Sequence, residues 1–498
     1  MSVKRETRKK KKAVRAVETN SSARAHEKSG CTEGPRPAPI AGPMPPDISG
    51  VNGSGLKLLF IHQNFPAQYF HITRHYAADP TNLVVAVGEA ANMRRNPPVP
   101  GVLRHGYDLP PSAGKSNAHT HHYVRGYEAK AQRGQAAALL LNQLRDAGFT
   151  PDVICVHPAW GEGLFIRSVW PDAPILAYAE WYGDLNDALW TFDPEFPVTM
   201  DMRRTAQAAH AAEAVSCADA TLLQTPTRFQ REHLPPAFRE RCVILYDGIH
   251  TGEFLPDPEA TLVLEPDEKN YSAENPPLPD WFPRRQAELT LTRADTAVTF
   301  INRVLEPFRG WHSFARAIPL IQAARPEAHF IIAGRARGAG AYGPPPPSGN
   351  WRDIYLNEIR SRIDPSRLHF TGTVPLDTVL RILTLSRAHV YLTYPFVLSY
   401  SPVEAMSCAA PLVLSDVEAT REVAVQGESA LFTDFHSPEA IAKAVIGLLG
   451  DPERAARMGR TARAHVIGHY DLESVWLPKW KRVIEALARR EHLDIKSV

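Results

Sequence analysis

Cysteine is scarce, with five residues among 498. Cys31, Cys155, Cys217, Cys242 and Cys408 are scattered, none close to another. Neither a disulfide framework nor a cysteine-based zinc site fits that spacing, which favours a reducing, cytoplasmic setting. Long apolar runs are also missing. Mean hydropathy is −0.27, and no run approaches the about 18 apolar residues of a membrane-spanning helix. The start of the chain lacks the apolar core of a secretory signal. There is no G-x-x-x-x-G-K-[ST] loop, so nucleoside triphosphate hydrolysis by that route is unsupported. Net charge is small as well, at +2. It conceals an asymmetry: residues 1–16 hold eight Lys/Arg and one Glu, and the body from residue 56 onward carries −4. A mildly acidic body gives no sign of a nucleic-acid partner.

What is present is ordinary for a globular protein: 44% hydrophobic and 22% charged residues. The length suggests two or three domains. Residues 1–55 read as a disordered tail, lysine-rich and then proline-rich, with no apolar period to offset the entropy of ordering. It is either a hydrated extension or, through Arg8 to Lys12, a peripheral contact with anionic lipid at the inner face of a membrane. From Leu56 onward, short apolar runs alternate with helical stretches. The runs are 56–62, 82–88, 152–157, 175–180, 220–225 and 242–248, and the longest helical stretches are 128–148 and 201–216. Buried strands alternating with helices predict a doubly wound α/β domain over residues 56–250.

Residues 251–294, with seven prolines, read as an interdomain segment. The alternation then restarts over 295–455, with strands at 297–303, 329–334, 388–394 and 410–416 and a helix at 311–324. Helical material in 456–498 is expected to cross back to the first domain. Two Rossmann-like halves facing a cleft follow.

Several motifs carry competing readings. Gly338, Gly340 and Gly343 match G-x-G-x-x-G, but four prolines follow, so no helix opens to hold a pyrophosphate. This reads as a flexible loop near a ligand cleft. "HTHH" at 119–122 reads as a polar loop with no distant partner for a metal, and no metal site is expected. His71 and His75 lie four apart on a helix without the glutamate of a zinc-binding motif. Ser401-Pro402-Val403-Glu404 fits a capping box with Ser401 as N-cap. The same helix start lies at the C-terminal edge of a sheet, where amides and the helix dipole favour an anion. Arg303 and Arg309 flank that edge, and two guanidiniums can neutralise a diphosphate without a metal. The plainer reading for Arg309 is a pair with Glu306. His157 ends a strand of the first half at the matching edge.

Together these residues resemble glycosyltransferase family 4, retaining enzymes of the GT-B fold. The second half carries the resemblance in "NRVLEPFRGWHSFARAIP" (302–319), "RLHFTGTVP" (367–375) and "HVYLTYPFVLSYSPVEAMSCAAPLVLSD" (389–416). The first half resembles the acceptor domain of one bacterial subgroup in "LLFIHQNFPAQYFHI" (58–72), "DVICVHPAWGEGLF" (152–165) and "APILAYAEWYG" (173–183). The resemblance implies transfer of a sugar from a nucleoside diphosphate sugar to a glycan or lipid-linked acceptor, for a cell-surface polysaccharide or glycoconjugate, without a further cofactor. Arg303 and Arg309 match the basic pair that binds the donor diphosphate and stabilises the leaving group. His157 matches a histidine beside the reacting centre. Glu404 matches the second Glu of E-x7-E, which binds the donor ribose, with Ser401 still capping. Val374 falls in the base-binding stretch, and Val397, Leu398 and Ser399 in the stretch whose amides meet the donor. Asn64, Phe65, Gln68 and Glu180 fall on the acceptor side. Two departures stand out: Phe396 replaces the first Glu of E-x7-E, and Ala67 stands where a glycine is expected. The alternatives are a sugar-nucleotide epimerase of the same fold and a non-catalytic glycan- or nucleotide-binding scaffold.

Overall fold

The computed structural model describes residues 54–110, 119–183 and 185–498. The tail expected over 1–55, with its lipid-contact stretch and Cys31, therefore lies almost wholly outside the described residues. The other four cysteines are buried and free.

The first half is built on a seven-stranded parallel sheet. Its strands are β1 (Lys57–Ile61), β2 (Leu83–Glu89), β3 (Val102–Tyr107), β4 (Val153–Val156), β5 (Ile175–Tyr178), β6 (Leu222–Thr225) and β7 (Cys242–Ile244). Their order is β3-β2-β1-β4-β5-β6-β7. β1 shows why: in KLLFI, four consecutive residues are fully buried, as a strand covered by helices on both faces requires.

A small antiparallel hairpin follows, β8 (Thr261–Leu264) with β9 (Leu289–Thr292). The second half is a six-stranded parallel sheet of β10 (Ala297–Val304), β11 (His329–Arg335), β12 (Leu368–Gly372), β13 (Ala388–Tyr391), β14 (Leu412–Ser415) and β15 (Leu431–Thr433). The order is β12-β11-β10-β13-β14-β15, the same winding as in the first sheet. The helix Trp311–Ala324 covers it, with Trp311, Phe314, Ile318 and Ile321 at zero exposure. Each such side chain contributes roughly 1.5–3 kcal/mol by leaving water.

Three local expectations change. The stretch 251–294 does not hang between the halves. Its hairpin packs on Ile331, Ala333 and Ile382 of the second half. The fully buried Arg352 donates to Asn275 Oδ1 at 2.9 Å and to the carbonyls of Pro276 and Pro277. The helix expected at 128–148 begins earlier, spanning His122–Asp146. "HTHH" therefore runs into a helix rather than forming a loop. His121 is the N-cap, and His122 pairs with Asp201 at 3.2 Å. The stretch 201–216 divides into Met200–Ala209 and Ala211–Asp219.

The halves are joined in two further places. Helix Leu477–Ala488 packs on the first half, where the Trp480 indole donates to the Tyr246 carbonyl at 2.9 Å. In the other direction, residues 187–197 reach onto the second half. Asp193, 5% exposed, accepts from the Tyr394 hydroxyl at 2.7 Å and lies 3.0 Å from His312 Nε2. Burial pushes the Asp193 pKa up, but the His312 and Tyr394 contacts outweigh it, and the net shift is downward. Beside it, Arg316 forks onto Glu195 at 2.6 and 3.0 Å.

Candidate functional site

In each sheet the strand order reverses once, between β1 and β4 and between β10 and β13. Open α/β sheets bind ligands at the C-terminal ends of strands at such a point. The end of β10 carries Arg303, and the loops leaving β4, β5, β10 and β13 carry His157, Glu180, Arg309 and the stretch 392–399.

Arg303 is the penultimate residue of β10 and is exposed. Its guanidinium makes no hydrogen bond or ion pair with any described residue. Arg309 ends the tight turn Pro307–Arg309. Gly310 follows at φ +71°, and a Cβ there would lie 2.3 Å from Leu392 Cβ, so only glycine lets this turn sit against the end of β13. The pairing of Arg309 with Glu306 is weak at 3.9 Å. The buried Glu306 carboxylate is already engaged, accepting the amides of Tyr342 at 2.9 Å and Gly343 at 2.8 Å. Arg309 instead lies 5.1 Å over the Tyr342 ring, with its Nε buried and unpartnered. The glycine-rich loop is thus held by Glu306. Gly340 (φ +92°) gives Arg303 room, since a Cβ there would fall 2.5 Å from Arg303 Cδ.

The helix after β13 spans Tyr400–Ser407, and its N-cap is Ser399, whose Oγ accepts the Ser401 amide at 3.3 Å. This corrects the capping box: Ser401 is inside the helix, Glu404 lies a turn further in, and neither caps. The Glu404 carboxyl makes no hydrogen bond or ion pair with the described residues, and burial raises its pKa to about 7.

These elements enclose a cavity of about 110 Å³. Gln68 and Glu180 enter it from the first half. Arg303, Arg309, Val397, Leu398 and Ser399 enter it from the second. A second cavity, also about 110 Å³, holds Glu404 with Ala67 and His71. Gln68, Asp247 and Tyr400 border both and form the partition. The remaining expected residues lie elsewhere. Phe65 has zero exposure and belongs to the core, so it meets no acceptor. Asn64 is exposed outside both cavities, and Val374 packs on the β8–β9 hairpin. His157 is fully buried, stacked between Trp160 (4.2 Å) and Tyr178 (5.2 Å). Its Nδ1 accepts the Ala159 amide, and its Nε2 lies 3.4 Å from Glu180 Oε2. Glu180, not His157, faces the cavity. Burial raises the Glu180 pKa, but His157, Gln68 and Arg303 together turn the net shift downward, so it is a carboxylate at neutral pH.

Sequence reasoning missed Asp247, Tyr178 and Tyr400. Asp247 Oδ2 accepts from the Tyr178 hydroxyl at 2.8 Å and the Tyr400 hydroxyl at 2.6 Å, while Oδ1 is buried without a partner. Burial, against those two donors, raises its pKa to about 7. The available signal was a carboxylate just past the end of β7, on the ligand edge of the sheet. Phe396 also lines the cavity. Its ring meets Trp181 at 4.9 Å and both Phe308 and Tyr342 at 5.2 Å.

Known proteins share this fold. A sucrose-phosphate synthase of Thermosynechococcus elongatus superposes with a TM-score of 0.61 at 13% identity, covering 87% of this chain and all of its own. Anabaena HepE in complex with UDP-glucose gives 0.55 at 16%, covering 86% and 100%. Both share the fold. In sequence, D-inositol 3-phosphate glycosyltransferase of Corynebacterium glutamicum is 25% identical over 213 residues, 42% of this chain and 48% of its own. Glycogen synthase of Mycobacterium tuberculosis is 23% identical over 171 residues, 34% of this chain and 38% of its own. The matched segments thus span less than half of these curated relatives. Residues 81–254 match the model of the glycosyl transferase family 4 group, and residues 286–465 that of glycosyl transferases group 1. The two matches fall in order on the two halves of the fold, and by them the chain belongs to the family 4-type glycosyltransferases.

Proposed function

We propose that the protein transfers a sugar, with retention at the anomeric carbon, from a nucleoside diphosphate sugar to a glycan or lipid-linked acceptor in cell-surface polysaccharide or glycoconjugate synthesis. One observation carries the reading: two guanidiniums, one unpaired and one stacked, converge on a cavity at both topological switch points. Arg303 and Arg309 meet the diphosphate and stabilise the negative charge that grows on it as the glycosidic bond breaks. Glu404 accepts from the ribose hydroxyls in the second cavity. The relatives named above act on or hold sugars and nucleotide sugars, which supports the donor class.

Each cavity is smaller than the roughly 300–1,000 Å³ of a small-molecule site. A donor reaching from Glu404 to Arg303 must displace the Tyr400–Asp247 partition. Closure of the two halves over the donor then excludes the water that would hydrolyse it.

A thermal-shift panel of UDP, GDP and ADP with their sugar conjugates tests the reading. A ligand at 100 times its Kd adds about 2.7 kcal/mol. One base is expected to stabilise the protein. Arg303→Ala and Arg309→Ala are each expected to abolish that shift and to lower transfer by about 10²–10³-fold. Unchanged transfer in both variants would sink the assignment.

A further inference from the structure

The cavity has donors for a sugar but, at position 396, no acceptor. Sugar hydroxyls have protons to place. The amides of Val397 and Leu398 can only donate, and the Ser399 amide already gives its proton to the Tyr391 hydroxyl at 3.4 Å. Phe396 offers a ring. An acceptor must therefore come from another part of the cavity wall.

Two carboxylates border the cavity beside the arginines, Glu180 and Asp247. Asp247 is 5% exposed; its Oδ2 is taken by two tyrosine hydroxyls and its Oδ1 is buried. Glu180 differs. Its side chain is 29% exposed. Oε1 accepts from Gln68 Nε2 at 3.2 Å, and Oε2 has His157 Nε2 at 3.4 Å. A carboxylate has about four lone-pair positions, so at least two remain for the cavity. The orientation is enforced from behind. His157 is clamped between two rings with Nδ1 occupied by an amide, which leaves the Nε2 proton to face Glu180. Trp181, the next residue, reaches across to Phe396. Phe396 and Glu180 line the same cavity, so an apolar ring stands beside a carboxylate there.

We infer that Glu180, oriented by Gln68 and His157, is the specificity-determining acceptor for the hydroxyls of the transferred sugar, with Phe396, backed by Trp181, as its apolar platform. This rests on the transferase reading above and moves Glu180 from the acceptor side to the donor sugar. His157 becomes a positioning residue, acting through Glu180. A fixed carboxylate also selects a neutral hexosyl group and repels a uronosyl one.

The test uses the full chain, with the nucleoside diphosphate identified by the thermal-shift panel and its glucose, galactose, N-acetylglucosamine and glucuronate conjugates, titrated by calorimetry. Glu180→Gln keeps the shape and removes the charge. It is expected to leave affinity for the bare nucleoside diphosphate within about twofold and to cut the affinity added by the preferred neutral sugar by about tenfold, the weight of one charged hydrogen bond. Discrimination against the glucuronate conjugate is expected to shrink, which a merely structural role would not produce. His157→Phe is expected to lower the neutral-sugar increment in the same direction by a smaller factor. An unchanged sugar increment in Glu180→Gln, or a loss confined to the KM of the glycan or lipid acceptor, overturns the inference while leaving the transferase reading intact. Absence of any nucleoside diphosphate binding to the parent protein overturns both.

Discussion

The two halves of this chain wind the same way, yet their cleft edges carry opposite chemistry. The first half presents Gln68 and Glu180, with Asp247 at its last strand, and the second presents Arg303, Arg309 and a capped helix start. Equivalent topology thus makes two half-sites that are not interchangeable. One is suited to a diphosphate, the other to hydroxyl groups. Two of the residues that couple them, Asp193 and Asp247, belong to the first half but take tyrosine donors from the second. A complete site needs both sheets in contact, which is why domain contact and chemistry are tied together here.

The largest effect is expected at residues 187–197, which reach from the first half onto the second. Asp193→Ala leaves His312 and the Tyr394 hydroxyl buried without their partner. Each buried polar group left without its partner costs about 1–3 kcal/mol. A lowered Tm, or a thermal transition that splits in two as the halves come apart, is expected by calorimetry. Because the Asp193 pKa is depressed in the fold, the contact stabilises the protein above the ordinary carboxylate range. That stability is lost as pH falls through the native pKa.

A smaller effect should sharpen the contrast by pH. Glu404 has a pKa near 7 because it is buried, not because it is paired. Below that value it is protonated and a poorer acceptor for ribose hydroxyls. Donor kcat/KM is expected to rise through an apparent pKa near 7, and Glu404→Gln is expected to remove that limb. A limb that survives in Glu404→Gln assigns it to Asp247 instead, whose pKa is also raised to about 7. For stability the sign is reversed. A carboxyl whose native pKa is raised holds a proton that the unfolded chain releases, so stability falls as pH rises from the ordinary carboxylate range to about 7, then levels off.

The smallest effect lies in the first loop. Ala67 adopts φ +40°, in the left-handed region that costs an L-residue roughly 1–2 kcal/mol. Ala67→Gly is expected to raise stability by up to about 1 kcal/mol in denaturant titration, offset in part by the greater freedom of an unfolded glycine.

Arg303 and Arg309 were legible in the sequence because β10 opens on a mostly apolar stretch, Ala297–Ile301, and the arginines stand just beyond it. Gln68, Glu180 and Val397–Ser399 were placed near the cleft by resemblance, and the structure brings them to one cavity. The helix start was misplaced by two residues. Ser399 and Ser401 are both good caps, and the choice depends on where the chain leaves β13 rather than on composition. Phe65 was misplaced because Asn64 and Ala67 in the same motif are exposed while its own ring turns into the core. Tyr178, Asp247 and Tyr400 could not be grouped at all: the partners are 69 and 153 residues apart.

By itself, then, the sequence determined the two alternating α/β halves, the cationic pair at a strand end and a phenylalanine at position 396, which only the resemblance marks as standing where a carboxylate is expected. All of these are local, set by side-chain period and by residue identity along a single strand or turn. The tertiary structure alone decided that His157 is sealed behind Glu180, that Asp247 divides the cleft, and that an acid from one half faces the arginines of the other. Those are contacts between segments far apart in the chain. Which polar atoms remain open to a ligand depends on how the two sheets pack together, and no spacing along the chain encodes it.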